Sequence, residues 1–256
     1  MSTTASVLQS LAAALGTGDV RVVDLTQPLH EKTPVLKLPE PFANTPGLTR
    51  HEISHYDDRG PAWAWSWLEV GEHVGTHFDA PIHWITGKDG EDVASVAPGK
   101  LVGPAVLIDK SAEAAADPDY LLTVDDVRSF EAEHGALPEG GWVLLRTGWD
   151  SRATDQEAFL NGGHTPGPDV ECARALAESS IAGFGVETVG TDAGMAHSFD
   201  PPFPVHNFLL GAGKYGLTQL ANLAQLPPTG AVIVVAPLKL VHGTGSPTRV
   251  FALVAA

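Results

Sequence analysis

The sequence predicts one α/β domain built around a mixed sheet. Short apolar runs typical of strands occur along the whole chain, and from residue 102 onward they alternate with amphipathic helical segments. No internal repeat, low-complexity block or linker interrupts the 256 residues, so a single domain over residues 1–256 is the simplest organisation. A domain of this size buries roughly 75% of the surface that its unfolded chain exposes, which allows a substantial core.

Eight segments have the length and apolar composition of strands. They are residues 20–25, 48–56, 63–70, 102–109, 142–146, 181–186, 231–236 and 250–254. The second and third are separated by Asp57-Asp58-Arg59-Gly60-Pro61, a strong turn signal. We therefore expect the first third of the chain to consist mainly of strands and loops.

Three segments are predicted to be helical. Residues 1–16 space their apolar side chains like a short amphipathic helix, and residues 168–179 show similar spacing after a proline. The third helix begins at Thr123, because Thr123 and Asp126 have the spacing of a capping box ahead of the apolar Val127.

The charge and the cysteine content exclude several classes of function. A formal net charge of −16 repels phosphate backbones and anionic lipids, so neither nucleic acid nor a membrane is an expected partner. No stretch approaches the roughly 20 apolar residues that span a bilayer. Cys172 is the only cysteine, which excludes an intrachain disulfide and a thiolate zinc site and favours a reducing, cytoplasmic setting.

Three familiar motifs fail on their context. Gly183-Phe184-Gly185 lacks the third glycine at the dinucleotide-binding spacing, and no Gly-x-Ser-x-Gly elbow occurs. His51-Glu52-Ile53-Ser54-His55 matches the helical zinc-protease motif, but turn residues crowd both sides and its composition favours a strand. Cys172 falls on the apolar side of a predicted helix, where a packing role is favoured over a nucleophilic one.

A second histidine-rich segment has the residue types of a divalent-metal site. Gly75 and Pro81 disfavour a continuous helix there. In an extended chain His73, His77 and Asp79 project to one side, because their separations are even. Two imidazoles and one carboxylate form a facial ligand set that leaves other coordination positions open. A buried aspartate beside two histidines is costly unless a cation compensates it, so we expect these three residues to bind a metal ion.

His83 follows Asp79 by four residues and is expected beside the metal. Imidazole titrates near neutrality, so His83 can take a proton from a water activated by the metal and return it to a leaving nitrogen. Two alternatives stay open for His83: a fourth ligand, or a hydrogen-bond partner that orients one of the ligands.

Aromatic residues are concentrated around this segment, since four of the six tryptophans stand at positions 63, 65, 67 and 84. Alternation along a strand places the first three on one face. Some of them must serve core packing, but a flat aromatic substrate would suit such a wall. We therefore expect Trp63 and Trp84 to sandwich the substrate ring.

The segment resembles the signature of the putative cyclase family, which includes bacterial kynurenine formamidases and isatin hydrolases. The matching residues are His73, Gly75, Thr76, His77, Asp79, Pro81 and His83. Gly190-Thr191-Asp192 and the segments 204–210 and 245–249 extend the resemblance over most of the chain. The resemblance implies a swivelling β/β/α fold, a homodimer or higher homo-oligomer, and manganese or zinc at His73, His77 and Asp79.

One position departs from the formamidase-like members of that family. Those members bind a second metal through a histidine and a later glutamate, which correspond here to His206 and Gln219. A neutral amide does not offset a second dication, so the resemblance implies one metal ion, with His206 and Gln219 as hydrogen-bond partners of water or substrate. Isatin-hydrolase-like members also favour a single metal, and the Trp-rich segment resembles them more closely.

The predicted reaction is hydrolysis of a cyclic aryl amide, with the opening of isatin to isatinate as the named candidate. The metal would activate a water and polarise the lactam carbonyl, while His83 carries the proton. The runner-up within the same chemistry is deformylation of N-formylkynurenine, which needs a larger pocket.

Two hypotheses from other classes remain open. A non-haem iron oxygenase could use His77 and Asp79 with the distant His242, and Arg249 would then hold an oxo-acid cosubstrate. A binding module without catalysis would follow if changes such as the one at Gln219 had abolished the chemistry.

Overall fold

The computed structural model describes residues 4–256, and within them the chain forms twelve strands and five α-helices. The strands are β1 Val20–Asp24, β2 Thr49–His55, β3 Ala64–Glu69, β4 His77–Asp79, β5 Val102–Asp109, β6 Leu121–Leu122, β7 Trp142–Arg146, β8 Gly167–Pro168, β9 Gly183–Val186, β10 Tyr215–Thr218, β11 Ala231–Pro237 and β12 Gly245–Ala255. The helices are α1 Thr4–Thr17, α2 Ser111–Ala116, α3 Val124–His134, α4 Gln156–Leu160 and α5 Val170–Glu178.

Eight strands form one mixed sheet, and seven of them close into a barrel-like ring. The order is β1-β12-β11-β5-β7-β9-β10-β4, and a further pairing of β4 with β12 closes the ring. The strands β5, β7, β9 and β10 are parallel neighbours, while the remaining pairs are antiparallel. The predicted α/β class with a mixed sheet is therefore confirmed.

Alternate residues of the ring strands enter two cores. One core contains Phe78, Leu144, Leu217 and Val250, which come from β4, β7, β10 and β12 and pack together inside the ring. The intervening residues of β5, β7 and β9 form the second core with α3 and α5 on the other face of the sheet. Cys172 is fully buried in this second core, so its predicted packing role is confirmed.

Helix α3 begins as the sequence predicts, and α5 begins at Val170, two residues after the predicted start at Pro168. Thr123 and Asp126 make both hydrogen bonds of a capping box at the start of α3. Residues 1–3 of the predicted N-terminal helix lie outside the described residues, and the remainder forms α1. The side chains of Val7 and Leu8 on α1 are exposed, so this helix does not bury its apolar side within the chain.

Strands β2 and β3 form a separate two-stranded hairpin. The His51–His55 segment lies in β2, so the rejection of the helical zinc-protease motif is confirmed. His51 instead stacks on Trp67 with ring centroids 3.8 Å apart. No helix among residues 4–256 is long and apolar enough to cross a membrane.

Candidate metal centre

Strand β4 brings two of the predicted ligands to one side. His77 and Asp79 are two residues apart in β4, and Phe78 between them is buried in the core inside the ring. The side chains of His77 and Asp79 are themselves buried. β4 is paired on both edges, with β10 and with β12, so the two ligands lie on a rigid support.

His73 reaches the same place by a bend, not by the extended chain that the sequence predicted for this stretch. Residues 72–76 form consecutive bends, and Gly75 has a φ of +64°, which an L side chain rarely adopts. The bend brings His73 Nδ1 within 2.8 Å of Asp79 Oδ1. His77 Nε2 lies 3.4 Å from the same oxygen, so both predicted histidines contact Asp79. The donor atoms that all lie within 4.8 Å of one another are those of His73, Asp79 and His83, and His77 is not among them.

The hydrogen bonds of His77 direct a lone pair toward Asp79. His77 Nδ1 is 2.7 Å from Gly75 O, and since a carbonyl only accepts, the ring proton stands on Nδ1. Burial lowers the pKa of His77 to about 4, which keeps the ring neutral and leaves a lone pair on Nε2. Thr218 Oγ1 on β10 also contacts this ring, at 3.1 Å from Nε2.

Asp79 carries its negative charge within this cluster. Burial alone would raise the pKa of Asp79, but the charges of His77 and His73 and a hydrogen bond with His73 lower it below its ordinary value. One imidazole nitrogen of His73 and one of His77 therefore lie within 3.4 Å of the same carboxylate oxygen. This donor set fits a divalent cation of the manganese or zinc type.

His83 lies against the triad at the end of the short helical turn Pro81–His83. Its ring stacks on the His73 ring with centroids 3.9 Å apart. Nitrogen and oxygen atoms of His73, Asp79 and His83 fall within 4.8 Å of one another, so a ligand role for His83 is also geometrically available. Burial first, and then the neighbouring imidazoles, lower the pKa of His83 to about 3 against the opposing effect of Asp79. A neutral imidazole results, which can accept a proton.

His206 forms a second carboxylate–imidazole pair next to His83. Its Nδ1–H donates to Asp192, and the same carboxylate accepts the backbone N–H groups of Val205 at 2.7 Å and His206 at 3.2 Å. Burial would lower the pKa of His206, but the hydrogen bond and charge of Asp192 raise it. The His206 ring is 5.6 Å from the His83 ring and 4.8 Å from the Trp84 ring.

A cavity of about 230 Å³ opens beside the triad. His73, His77, Asp79, His83 and His206 line one side of it. Leu36, Leu38 and the residues 43–45 line it from the irregular loop between β1 and β2, and Val189 and Gly190 line it from the segment after β9. The sequence analysis missed this loop, because residues 26–47 show no periodicity that would place them at a site.

The predicted substrate contacts are only partly brought together. Trp84 packs against His206 and Phe203 next to the cavity. Trp63 is half-exposed at the end of the turn that joins β2 to β3, and it does not line the cavity of its own chain. Gln219 is buried behind Thr218, and its side-chain Nε2 donates to Pro34 O at 3.3 Å, so it does not line the cavity either.

The residues proposed for an iron oxygenase lie elsewhere. His242 is exposed in the turn between β11 and β12, where its backbone N–H donates to Asp92 at 2.6 Å. Arg249 already forms a two-pronged ion pair with Asp24, at 2.9 and 2.7 Å. The oxygenase hypothesis is therefore wrong, because its third ligand and its cosubstrate anchor are not at the site.

The amino-acid sequence of the chain matches a family model and is similar to known enzymes. Residues 23–193 match the family model described as putative cyclase. An isatin hydrolase of Roseibium aggregatum is 50% identical over 97% of each chain. A kynurenine formamidase of Salinibacter ruber is 29% identical over 71% of this chain and 76% of its own. The chain therefore belongs to the putative cyclase family, as its histidine signature predicted.

The fold of the chain is also similar to that of an isatin hydrolase. A solved structure of an isatin hydrolase bound to the product analogue thioisatinate superposes with a TM-score of 0.97 at 49% identity. The superposition covers 99% of this chain and 100% of that one. The predicted fold of the cyclase family is thus confirmed over nearly the whole chain, including the strands that carry the triad.

Proposed function

We propose that this protein is a metal-dependent hydrolase that opens the five-membered lactam of isatin to isatinate. The observation that carries the proposal is the contact of both His73 and His77 with the buried Asp79, with His83 beside them at the wall of a cavity. The 50% identity to an isatin hydrolase over nearly the full length of both chains supports the same reaction.

One manganese or zinc ion is proposed at this triad, where it would act as a Lewis acid toward the carbonyl and activate a water. His73 would bind it through Nδ1, His77 through Nε2 and Asp79 through its carboxylate. A second ion is not expected, because Gln219 is neutral and the Nδ1 of His206 is already bonded to Asp192. His83 remains free to move the proton.

His83 would act as general base and then as general acid. It lines the cavity beside the ligands, so it reaches the water proton without leaving its stack on His73. It would then return that proton to the departing aryl nitrogen. Leu36 and Leu38 would contact the aromatic ring, Trp84 would border it, and His206 would face a polar edge of the substrate.

The cavity favours isatin over N-formylkynurenine. Its volume of about 230 Å³ is below the roughly 300–1,000 Å³ of sites for drug-sized ligands. A compact bicyclic lactam suits such a space better than a substrate that carries a free amino-acid tail.

The chain is further proposed to act as one domain over residues 1–256 and as a homodimer or higher homo-oligomer in the cytoplasm. Three indoles of the β2–β3 hairpin, Trp63, Trp65 and Trp67, are each at least 50% exposed. Clustered apolar side chains of this kind mark protein contacts. Trp63 and Gln219, placed away from the cavity, would contact substrate only after a rearrangement or, for Trp63, through a neighbouring subunit.

The test is to measure the rates of isatin opening and of N-formylkynurenine deformylation on purified protein, with metal content determined on the same sample. The proposal expects isatin to be the better substrate and the bound metal to be near one ion per chain. Absence of isatin opening with manganese or zinc supplied would reject it. Faster deformylation would favour the kynurenine formamidase alternative.

A further inference from the structure

Behind the candidate metal centre, two residues form a hydrogen-bond chain that ends on His73. Glu72 Oε2 accepts the backbone N–H of Thr244 at 3.0 Å and the Thr244 hydroxyl at 2.6 Å. Thr244 Oγ1 in turn lies 2.9 Å from His73 Nε2. The three groups are partly buried, and the chain links residues 171 positions apart. Neither Glu72 nor Thr244 was singled out by the sequence analysis.

The direction of each hydrogen bond follows from the available hydrogens. The Thr244 hydroxyl has one hydrogen, and at 2.6 Å from a carboxylate oxygen it must point to Glu72, because two bare oxygens at that distance would repel. Toward His73 the Thr244 oxygen can then only accept. The Nε2–H of His73 therefore donates to Thr244. Nδ1 lies 2.8 Å from Asp79 Oδ1, and a bound cation would there replace the proton that these two atoms share.

The position of the His73 ring is also restricted by the backbone of β12. At Gly245, the residue after Thr244, a Cβ would lie 2.4 Å from His73 Cε1 and 2.9 Å from Nδ1. Only glycine allows β12 to approach the ring so closely. The ring therefore packs against Gly245 at Cε1 and Nδ1, stacks on His83, and is hydrogen-bonded to Thr244 at Nε2.

We propose that Glu72 and Thr244 are positioning residues that select the Nε2–H tautomer of His73 and thereby set the affinity of the metal centre. This inference rests on the proposed metal site at His73, His77 and Asp79. For His77 a single hydrogen bond selects the tautomer, because Gly75 O accepts the proton on Nδ1. Each histidine ligand thus has its non-coordinating nitrogen committed to an acceptor, as is usual for metal-bound imidazoles.

The experiment compares zinc affinities of the full-length protein and its variants by competition with a chromophoric chelator. Thr244→Val keeps the side-chain shape but removes the acceptor, and it should weaken zinc binding roughly ten- to hundredfold. Thr244→Ser should restore the affinity. Thr26→Val is the matched control, because Thr26 is a partly buried hydroxyl that bonds Val250 away from the site.

Variants of Glu72 test the direction of the hydrogen bonds that link Glu72, Thr244 and His73. Glu72→Gln retains an oxygen that can accept both Thr244 donors, so its zinc affinity should stay close to that of the unchanged protein. Glu72→Leu frees the Thr244 hydroxyl to donate to His73 Nε2, which favours the wrong tautomer, and it should resemble Thr244→Val. Imidazole ¹⁵N spectra of the zinc-loaded protein should show a protected His73 Nε2–H that exchanges faster in Thr244→Val.

The outcomes separate this inference from the proposed function. If the unchanged protein binds no zinc, the proposed metal site itself is rejected. If it binds zinc but a folded Thr244→Val binds equally well, or loses no more than Thr26→Val, the role of the Glu72–Thr244 chain is overturned. Should Thr244→Val not fold, Glu72→Leu and the His73 spectrum of Thr244→Ser decide the question.

Discussion

His83 and Asp79 lie in the same cluster, but we expect their replacement to have different effects on turnover and on metal binding. The His83 ring stacks on His73 and lines the cavity, whereas Asp79 is buried and its Oδ1 contacts both His73 and His77. The separation of proton transfer from metal binding is therefore open to a direct test at the level of single residues.

We expect His83→Ala to lose turnover of isatin roughly 100- to 10,000-fold while it keeps its metal, because general acid–base catalysis contributes that much. Asp79→Ala should lose both, since it removes the only anionic ligand. Steady-state rates and elemental analysis on the same preparations measure the two quantities. A His83→Ala protein with near-normal turnover contradicts the general-base role, and one that has lost its metal makes His83 a ligand.

Glu187 is a buried acid away from the metal centre. One oxygen accepts the backbone N–H of Thr147 at 2.7 Å, the Thr147 hydroxyl and the backbone N–H of Trp149, while the other oxygen has no partner among the described residues. Burial, with Asp150 adding to it, raises the pKa of Glu187 to about 7 against these hydrogen bonds. No cation pairs with this carboxylate in the described part of the chain.

The folded state therefore holds the Glu187 proton more tightly than the unfolded state, whose pKa is near 4.5. Stability from this group is present below about pH 4.5, falls as the pH rises to about 7 and stays low above it, a change on the order of 3 kcal/mol. Glu187→Gln should remove this loss, which urea unfolding at pH 5.5 and 8.5 would show. Glu139→Gln, an exposed change, is the control, and an unaltered pH dependence in Glu187→Gln would refute the assignment.

The candidate site was predictable only where chemistry is concentrated in sequence. His73, His77, Asp79 and His83 share eleven consecutive positions, so residue types and even spacing were sufficient to single them out. Asp192 was indicated only by the family resemblance. Thr218 and Thr244 reach the same place from two distant segments, and each alone looks like an ordinary strand or loop residue. Their roles depend on tautomers and hydrogen-bond directions, which a linear pattern does not record.

At the level of secondary-structure elements, β12 pairs with different strands along its length. Its residues 248–253 pair with β11, while Gly245, Ser246 and Pro247 pair with Asp79, Phe78 and His77 of β4. The strand that closes the ring therefore also packs its first residue against the His73 ring. β10 supports Asp79 from the other edge, where Gly216 leaves room for Asp79 Oδ2.

We expect Gly245→Ala to weaken metal binding and to lower stability by about 1–3 kcal/mol, because the new methyl group meets the His73 ring and Phe78 O at once. Thermal unfolding with and without zinc, together with chelator competition, measures both effects. Gly99→Ala is the matched control, since a Cβ there contacts nothing within 4 Å. Unchanged zinc affinity in Gly245→Ala would show that the ring can move aside.

Long apolar strands were predictable and short ones were not. Residues 102–109 and 142–146 have the bounds of β5 and β7, because continuous apolar runs mark strands buried on both faces. β10 escaped prediction, since Tyr215–Thr218 has only four residues beside a glycine. β12 begins five residues earlier than predicted, because Gly245, Ser246 and Pro247 are turn-forming types that only the ring closure makes extended.

At the level of the whole molecule, the β2–β3 hairpin is the feature that the fold of one chain does not bury. Trp65 on it is 56% exposed, and Leu68 and Tyr56 nearby are also exposed. We expect the protein to sediment as a homodimer or larger, and Trp65→Ser to weaken that assembly at a given concentration. Val241→Ser, which removes another exposed apolar side chain from a loop, should not. A monomeric unchanged protein at micromolar concentration would contradict the assignment of this surface.

The pairing of β4 with β12 has a consequence for the order of events in the cell. His73 and Thr244 are 171 residues apart, so the segment from Gly245 to Ala255 is translated long after His73. Until Thr244 and that segment have been translated, β4 lacks one of its two neighbouring strands. The His73 ring then also lacks Thr244 as the hydrogen-bond partner of Nε2 and Gly245 as a packing neighbour. The proposed metal site is therefore incomplete on a chain that has been translated only as far as β11, and it forms together with the closure of the ring by β4 and β12.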